Sequence, residues 1–250
     1  MTTTRTLVST WTAHPTAGSV AMAIEAAAGV RAGVASGSET GFDIGHVLHG
    51  GPALERCLQR SDDPAAAIAA LPSWLDERFP YDGSDDLIGR ESPSIDLVVA
   101  ELRENEAVVA WVGAGQAWHV RAGRVIAETT RHTIRNAHAG LEAAAVPGAV
   151  LDIPSRLVTR DAAEPETARW TLAPGDRLLL LSACLLRRCP RDELEPLATA
   201  PDVTAPGLGA AVERVFRSRS TPDTTLLLGA IVAVERGGRS SSPSSSKVAQ

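Results

Sequence analysis

Hydrophobic and polar positions along the chain fall into blocks of different rhythm. Aliphatic and β-branched residues run almost unbroken through 95–102, 107–112 and 226–234. Such runs predict buried strands, because a strand covered on both faces loses its period-two alternation. The polar stretch Arg103-Glu104-Asn105-Glu106 reads as a turn between the first two, and 116–121 and 124–127 flank Ala122-Gly123 as a hairpin. Four segments in such quick succession predict an antiparallel meander. A second strand group is expected at 156–160, 168–172 and 177–182. Its last two members are joined by Ala173-Pro174-Gly175-Asp176, a tight turn in which Pro fixes φ and Gly is free to take a positive one. Helices are expected at 52–59, at 64–79 with a break near Pro72, and at 136–145, 191–197 and 208–216. In the 191–197 segment, Pro190 followed by Asp192 and Glu193 sets negative charge at the positive end of the helix dipole. Strands in blocks, with helices grouped between them, give an α+β layout with antiparallel sheets rather than the βαβ alternation of a parallel nucleotide-binding fold.

Composition narrows this picture. With 250 residues and 44% apolar content the chain is long enough for a sizeable core. One domain is expected over 1–236, followed at 237–250 by a disordered tail whose six serines, Gly, Pro and Lys cannot offset ordering entropy by burial. The 24 basic and 30 acidic residues leave a net charge of −6, which argues against an electrostatic grip on nucleic acid or an anionic membrane and favours a protein or small-molecule partner. Lys247 is the only lysine, so the other basic residues are arginines. Cys57, Cys184 and Cys189 form neither an even disulfide set nor a CxxC pair. No hydrophobic signal segment follows the opening Met-Thr-Thr-Thr-Arg, and the run at 226–234 is well short of the roughly 20 residues of a membrane helix. A protein of the reducing cytoplasm is the expectation.

The sequence has no phosphate-binding G-x-x-x-x-G-K-[ST] loop, no G-x-S-x-G elbow and no H-E-x-x-H pair. What stands out is a series of turns at strand ends. Ala107-Val-Val-Ala-Trp-Val-Gly-Ala-Gly-Gln-Ala-Trp-His-Val-Arg-Ala-Gly-Arg-Val resembles the "VANVGDSRAYLLRDGRL" segment of the PPM-type, metal-dependent serine/threonine protein phosphatases of the type 2C kind. Thr130-Arg131-His132-Thr133 resembles that family's "TxDHS", and Leu157-Val158-Thr159-Arg160-Asp161-Ala162 its "xxTRALG". Leu172-Ala-Pro-Gly-Asp-Arg-Leu-Leu-Leu-Leu-Ser-Ala-Cys-Leu185 is similar to "LxPGDRLLLCSDGL", Asp192-Glu193-Leu194 to "DEEI", and Pro222-Asp223-Thr224-Thr225 to "xDNxT". Nearer the amino terminus the likeness is thinner: Ser38-Glu39-Thr40-Gly41-Phe42 resembles "NEDAF" and Val47-Leu48-His49-Gly50-Gly51 resembles "DGMGG". The resemblance implies two antiparallel sheets packed as a sandwich with helices outside, an α/β/β/α arrangement, and a pocket at one end of the sandwich.

It also implies where the chain departs from its relatives. Family carboxylates at these strand ends hold two divalent metals whose bridging water attacks the phosphate ester. Here the corresponding positions carry Thr40, Val47, Ala114 and Ala183, and only Asp223 keeps its acid. Two divalent ions bring about +4 against roughly −1 from one carboxylate, so about +3 would stand uncompensated. The chain therefore reads as a degenerate bacterial member lacking most metal ligands, a pseudophosphatase with no expected cofactor. Mg²⁺ or Mn²⁺ enters only under the alternative of a divergent active phosphatase.

Other features have plainer readings. Asp43, His46 and His49 stand at three-residue intervals, but no further ligand follows at a recognisable spacing, and the histidines read as loop residues. His132 reads as a structural hydrogen-bonding group, and Cys184 as a small buried residue in place of a glycine. Arg121, Arg124, Arg131 and Arg135 could form an anion-binding patch but read as a solvated face. The expected function is a catalytically inactive, phosphatase-like binding or regulatory protein in bacterial Ser/Thr phosphorylation signalling, its partner a protein such as a kinase or phosphoprotein. Repurposed small-molecule chemistry in the same cleft is the other alternative. The cleft would be bordered by Glu39, Asp43, His46, His49, Gly50, Gly51 and His132.

Overall fold

The computed structural model describes residues 6–12, 19–26, 29–37, 47–60, 63–78, 94–138, 151–218 and 230–236. Ten strands are present among them: β1 (Thr6–Thr12), β2 (Ser19–Ala26), β3 (Gly29–Gly37), β4 (Ile95–Leu102), β5 (Glu106–Val112), β6 (Gln116–Arg121), β7 (Arg124–Glu128), β8 (Glu166–Thr171), β9 (Arg177–Leu181) and β10 (Ala230–Arg236). They form two five-stranded sheets in the orders β1-β10-β9-β6-β7 and β2-β3-β4-β5-β8, with every neighbouring pair antiparallel.

The unbroken apolar runs find their explanation in the layering. Along β4 and β5, Val98, Ala100, Val109 and Trp111 face the other sheet, where Ala117, Leu178, Leu180, Val232 and Val234 meet them. The intervening Leu97, Val99, Ala110 and Val112 face helices on the outside. Those helices are α1 (Val47–Gln59), α2 (Pro64–Ala69) and α3 (Leu71–Arg78), which contribute Leu54, Leu58, Ile68, Leu71 and Leu75. Burying each such leucine contributes about 1.5–3 kcal/mol. After the short α4 (Ile134–Ala137) come α5 (Ala183–Arg188), α6 (Arg191–Thr199) and α7 (Ala205–Ser218), which cover the other sheet. There Leu185, Leu194, Leu208, Val212 and Phe216 pack on Trp118, Leu179, Leu181, Ile231 and Ala233. Both sheets thus have two buried faces, giving the α/β/β/α sandwich.

Several expectations need correction. The segments 95–127 do not make one meander: β4 and β5 belong to one sheet and β6 and β7 to the other, with the turn at Gly113 carrying the chain across. The stretch 156–160 is no strand; its single bridge is Val158 to Ile95, beyond which the backbone turns at Thr159–Ala162. The first helix begins five residues before Pro52, so the proline lies inside it and forfeits one backbone bond, which the burial of Ala53, Leu54, Cys57 and Leu58 offsets. His49 is accordingly helical, not in a loop. The 136–145 helix is described only as α4, which starts earlier because Thr133 caps it by accepting from the Asn136 N–H. Helix α5 was not expected at all. Strands β1 to β3 had no signal of their own: β2 and β3 are rich in Ala and Gly, and Gly33 is needed because a Cβ there would lie 2.9 Å from the backbone Val98 O of β4 as well as 2.5 Å from Leu54 Cδ1 of α1. Residues 237–250 lie outside the described residues.

Candidate functional site

Antiparallel pairing returns several strand ends to one edge of the sandwich. Ser36 of β3 is opposite Asp96 of β4, Gln116 of β6 is opposite Leu181 of β9, and Ile231 of β10 is opposite Leu181 on its other side. The turn 113–115 and the junction Ser182-Ala183 therefore meet at that edge. Ser182 fastens it: its Oγ accepts from the Leu185 N–H at 3.3 Å, capping α5, and from the Ala230 N–H at 2.9 Å, holding the start of β10.

Gly113 has φ +105°, and a Cβ built on it would stand 2.0 Å from Asp96 Oδ1. Only glycine leaves room for that carboxylate, which is buried and accepts from the Ala114 N–H at 2.5 Å. The turn is held from the other side by the segment 129–133. The His132 N–H donates to Gly113 O at 2.8 Å, and His132 Nδ1 accepts from the Gly113 N–H at 3.2 Å. Its ring stacks on Trp111 at 6.0 Å between centroids, and the indole of Trp111 donates to Thr130 O.

Because Nδ1 is an acceptor, the imidazole is neutral with its proton on Nε2. Burial pushes the His132 pKa below the ordinary histidine value, and the nearby Glu166 only partly opposes this. Nε2 lies 3.1 Å from Glu166 Oε1, off the line of a hydrogen bond, and the same oxygen is 3.3 Å from the Arg156 guanidinium. His132 is thus built into the turn.

Arg131 completes the floor. Its Nε donates to Ala114 O at 2.9 Å, while Nη2 is buried with no hydrogen-bond acceptor. Burial lowers its pKa from the arginine range; Asp152 and Asp96 favour its charge, and Arg187 and Arg135 oppose it. Arginine stays protonated throughout. Arg187, on α5, donates to Cys184 Sγ at 3.4 Å. The four arginines considered together in the sequence separate here. Arg121 is engaged with Asp176 at the opposite end of the sandwich, whereas Arg131 is half-buried beneath the turn.

Of the residues singled out from the sequence, Ala114, Ala183 and His132 come together at this edge, the two alanines fully buried. Gly50 and Gly51 lie in α1, as do Val47 and His49, whose side chains are outside the description. Glu39, Thr40, Asp43, His46 and Asp223 fall outside the described residues. Sequence reasoning passed over Asp96, although an acid within the apolar run Ile95–Leu102 is a visible signal. It also underweighted Arg131, a base at the Asp position of the "TxDHS" resemblance.

The described residues do not fit a pair of divalent ions. Ala114 and Ala183 offer methyl groups, Asp96 Oδ1 is committed to the Ala114 N–H, and Arg131 brings positive charge to the same turn. Among the described residues no three His, Cys, Asp or Glu side chains gather in metal-binding proximity.

No protein-family model matches the chain, and no curated protein matches it. Solved structures do. The serine/threonine phosphatase of S. agalactiae superposes with a TM-score of 0.68 at 17% identity, covering 92% of this chain and 99% of that one. Stp1 from Staphylococcus aureus gives a TM-score of 0.70 at 14% identity, covering 95% of each chain. The catalytic domain of PstP, solved with two manganese ions, gives 0.68 at 15% identity, covering 94% of this chain and all (100%) of that one. Two five-stranded antiparallel sheets, helices on both outer faces and strand ends gathered at one edge are thus the fold of the bacterial PPM-type serine/threonine phosphatases, and this chain has that fold.

Proposed function

We propose that this chain is a pseudophosphatase: a phosphatase-fold domain that binds instead of hydrolysing, acting through a protein partner in bacterial Ser/Thr phosphorylation signalling in the cytoplasm. The observation that carries the reading is the chemistry of the strand-end edge. Two buried alanines stand where the resemblance calls for metal-binding acids, and a guanidinium is hydrogen-bonded to the backbone of one of them. Hard divalent cations need several oxygen ligands, and methyl groups supply none. A fixed positive charge nearby disfavours a dication further. Among the described residues no helix is long and apolar enough to cross a bilayer.

The test is hydrolysis of an aryl phosphate by the full chain with and without Mn²⁺. The reading expects no turnover above buffer in either condition. Metal-dependent turnover abolished by Asp223→Ala would establish the active alternative.

A further inference from the structure

We propose that the β1 side of the sandwich is a docking surface for a second copy of this chain, the two β1 edges pairing antiparallel about a two-fold axis. The inference stands whether the strand-end pocket binds or hydrolyses.

An edge strand is a template for further pairing unless charge, a bulge or a short length blunts it. The edges of the two sheets differ sharply in this respect. On one side of the sandwich, β7 is five residues long, carries Arg124 and Glu128, and lies against a register shift between His119 and Val120 of β6; Glu128 is held by Arg191 at 2.7 Å. β8 carries Glu166 and Arg169, ion-paired with Arg156 and Glu106. On the other side, β1 reads Thr-Leu-Val-Ser-Thr-Trp-Thr: seven residues with no charge and no proline, in unbroken register with β10. The edge strand of the second sheet beside it, β2, carries one charge, Glu25, in eight residues.

A groove of about 380 Å³ opens between these two edges, lined by Thr6, Val8 and Thr10 of β1, Ala23 and Ile24 of β2, and Val30 of β3. Val8, Ala23 and Val30 border the inter-sheet core, so the groove reaches the interior layer. Thr6 and Thr10 share the face of Val8 and are nevertheless exposed, and Ile24 is 37% exposed. Beyond Thr10 the sheets are tied together, Thr12 Oγ1 accepting from the Ala21 N–H at 3.2 Å.

The chemistry of β1 selects the occupant. Strand edges are covered by extended backbone. The chain carries a net charge of −6, so a second copy is repelled over much of the surface, and a charge-free strip is where it can approach. Antiparallel pairing about Ser9 sets Val8 opposite the partner's Thr10 and Thr6 opposite the partner's Thr12 on the groove side. On the other face, where Ser9 and Trp11 lie beside Gly209 of α7, Leu7 comes opposite the partner's Trp11. Threonine pairs and aliphatic–aromatic pairs of this kind are favourable, and no like charges meet. The inner row of the added strand would roof the groove. Strands of seven residues are ~24 Å long, which puts the contact at the small end of specific interfaces, and a dissociation constant of roughly 10–100 μM is expected.

The experiment is sedimentation velocity on the full chain from about 5 to about 500 μM. A monomer–dimer equilibrium is expected, and it should tighten as salt rises, because salt screens the repulsion between copies of like net charge. At the register about Ser9 the two Thr10 side chains lie on the diagonal, ~7–8 Å apart. Thr10→Lys and Thr10→Glu, at an exposed position, therefore set like charges across the two-fold, and each is expected to weaken the dimer by about tenfold or more. An equimolar mixture of the two variants should recover it. Ile126→Lys, exposed on the opposite edge β7, should leave the dimer unchanged. Unfolding curves check that each variant is folded, and the same charge swap at Thr6 replaces the pair if the Thr10 variants are not. A chain that stays monomeric at about 500 μM overturns the proposal and leaves the edge to an extended segment of another protein. A dimer indifferent to the substitutions, or a mixture no tighter than either variant alone, overturns it as well.

Discussion

Gly113→Ala puts the site's construction to its most severe test. The new methyl would start 2.0 Å from Asp96 Oδ1 and 3.0 Å from Asp96 Cα, so neither a side-chain rotation alone nor a small adjustment relieves it. At φ +105° an L-residue also bears backbone strain, of order 1–2 kcal/mol. Moving the carboxylate breaks its bond to the Ala114 N–H, and a buried hydrogen bond to a charged group contributes about 1.5–3 kcal/mol. The expected loss is therefore about 2.5–5 kcal/mol. The assay is urea unfolding followed by tryptophan fluorescence, since Trp111 and Trp118 are buried and report on both sheets. A double-mutant cycle with Asp96→Ala sharpens it. Removing the carboxylate relieves the closest part of the clash, leaving only the contact with Asp96 Cα, so the pair should cost less than the two single changes combined, by at least about 1 kcal/mol. A loss below about 1 kcal/mol for Gly113→Ala, or strict additivity in the cycle, would show that Asp96 does not occupy the space described.

Two further outcomes follow from titratable groups. His132 has its pKa lowered by burial, so in the acid range the unfolded chain takes up its proton more readily than the folded one; stability is full above pH ~6.5 and declines as pH falls below it. His132→Asn, which keeps an acceptor for the Gly113 N–H, should flatten that slope in urea melts between about pH 7 and 5, and an unchanged slope would assign it to other groups. At the far end of the sandwich, burial would raise the Asp176 carboxyl, but hydrogen bonds from Arg121, the Ala173 N–H and His119 outweigh it and hold its pKa below the ordinary value. Asp176→Ala leaves His119, stacked on Trp170, without its 2.8 Å partner and should cost about 3 kcal/mol at neutral pH, a difference that shrinks as pH falls below the ordinary carboxylate value.

How much of this was legible in the sequence depended on how local each signal is. β4, β5, the β6–β7 hairpin and the Ala173–Asp176 turn follow from short-range patterns: apolar runs, a Gly-bearing turn, and a Pro-Gly-Asp turn closed by Asp176 N–H to Ala173 O. That β5 and β6 lie in different sheets is not local information, since the crossing is set by which faces the helices cover. Strands β2 and β3 escaped notice because alanine and glycine carry little strand preference; what makes them strands is β4 alongside and α1 packed on Gly33. At the site, Ala114 and Ala183 carry flanking motifs that anchor them in the sequence, and both are buried at one edge. The buried charges were harder. Asp96 looked like one acid in an apolar strand, and Arg131 like one arginine in a solvated series; only tertiary structure shows both gripping the same turn.

The proposal that this phosphatase-fold domain works without divalent metal is tested most directly by thermal unfolding of the metal-stripped full chain across a Mn²⁺ titration. A site occupied at a hundredfold excess over its dissociation constant would stabilise the fold by about 2.7 kcal/mol, an unmistakable rise in melting temperature. The account predicts no shift up to about millimolar Mn²⁺, and a shift appearing only when aspartate is restored together at Thr40, Val47 and Ala183. A saturable, micromolar rise in the melting temperature of the unaltered chain would contradict it.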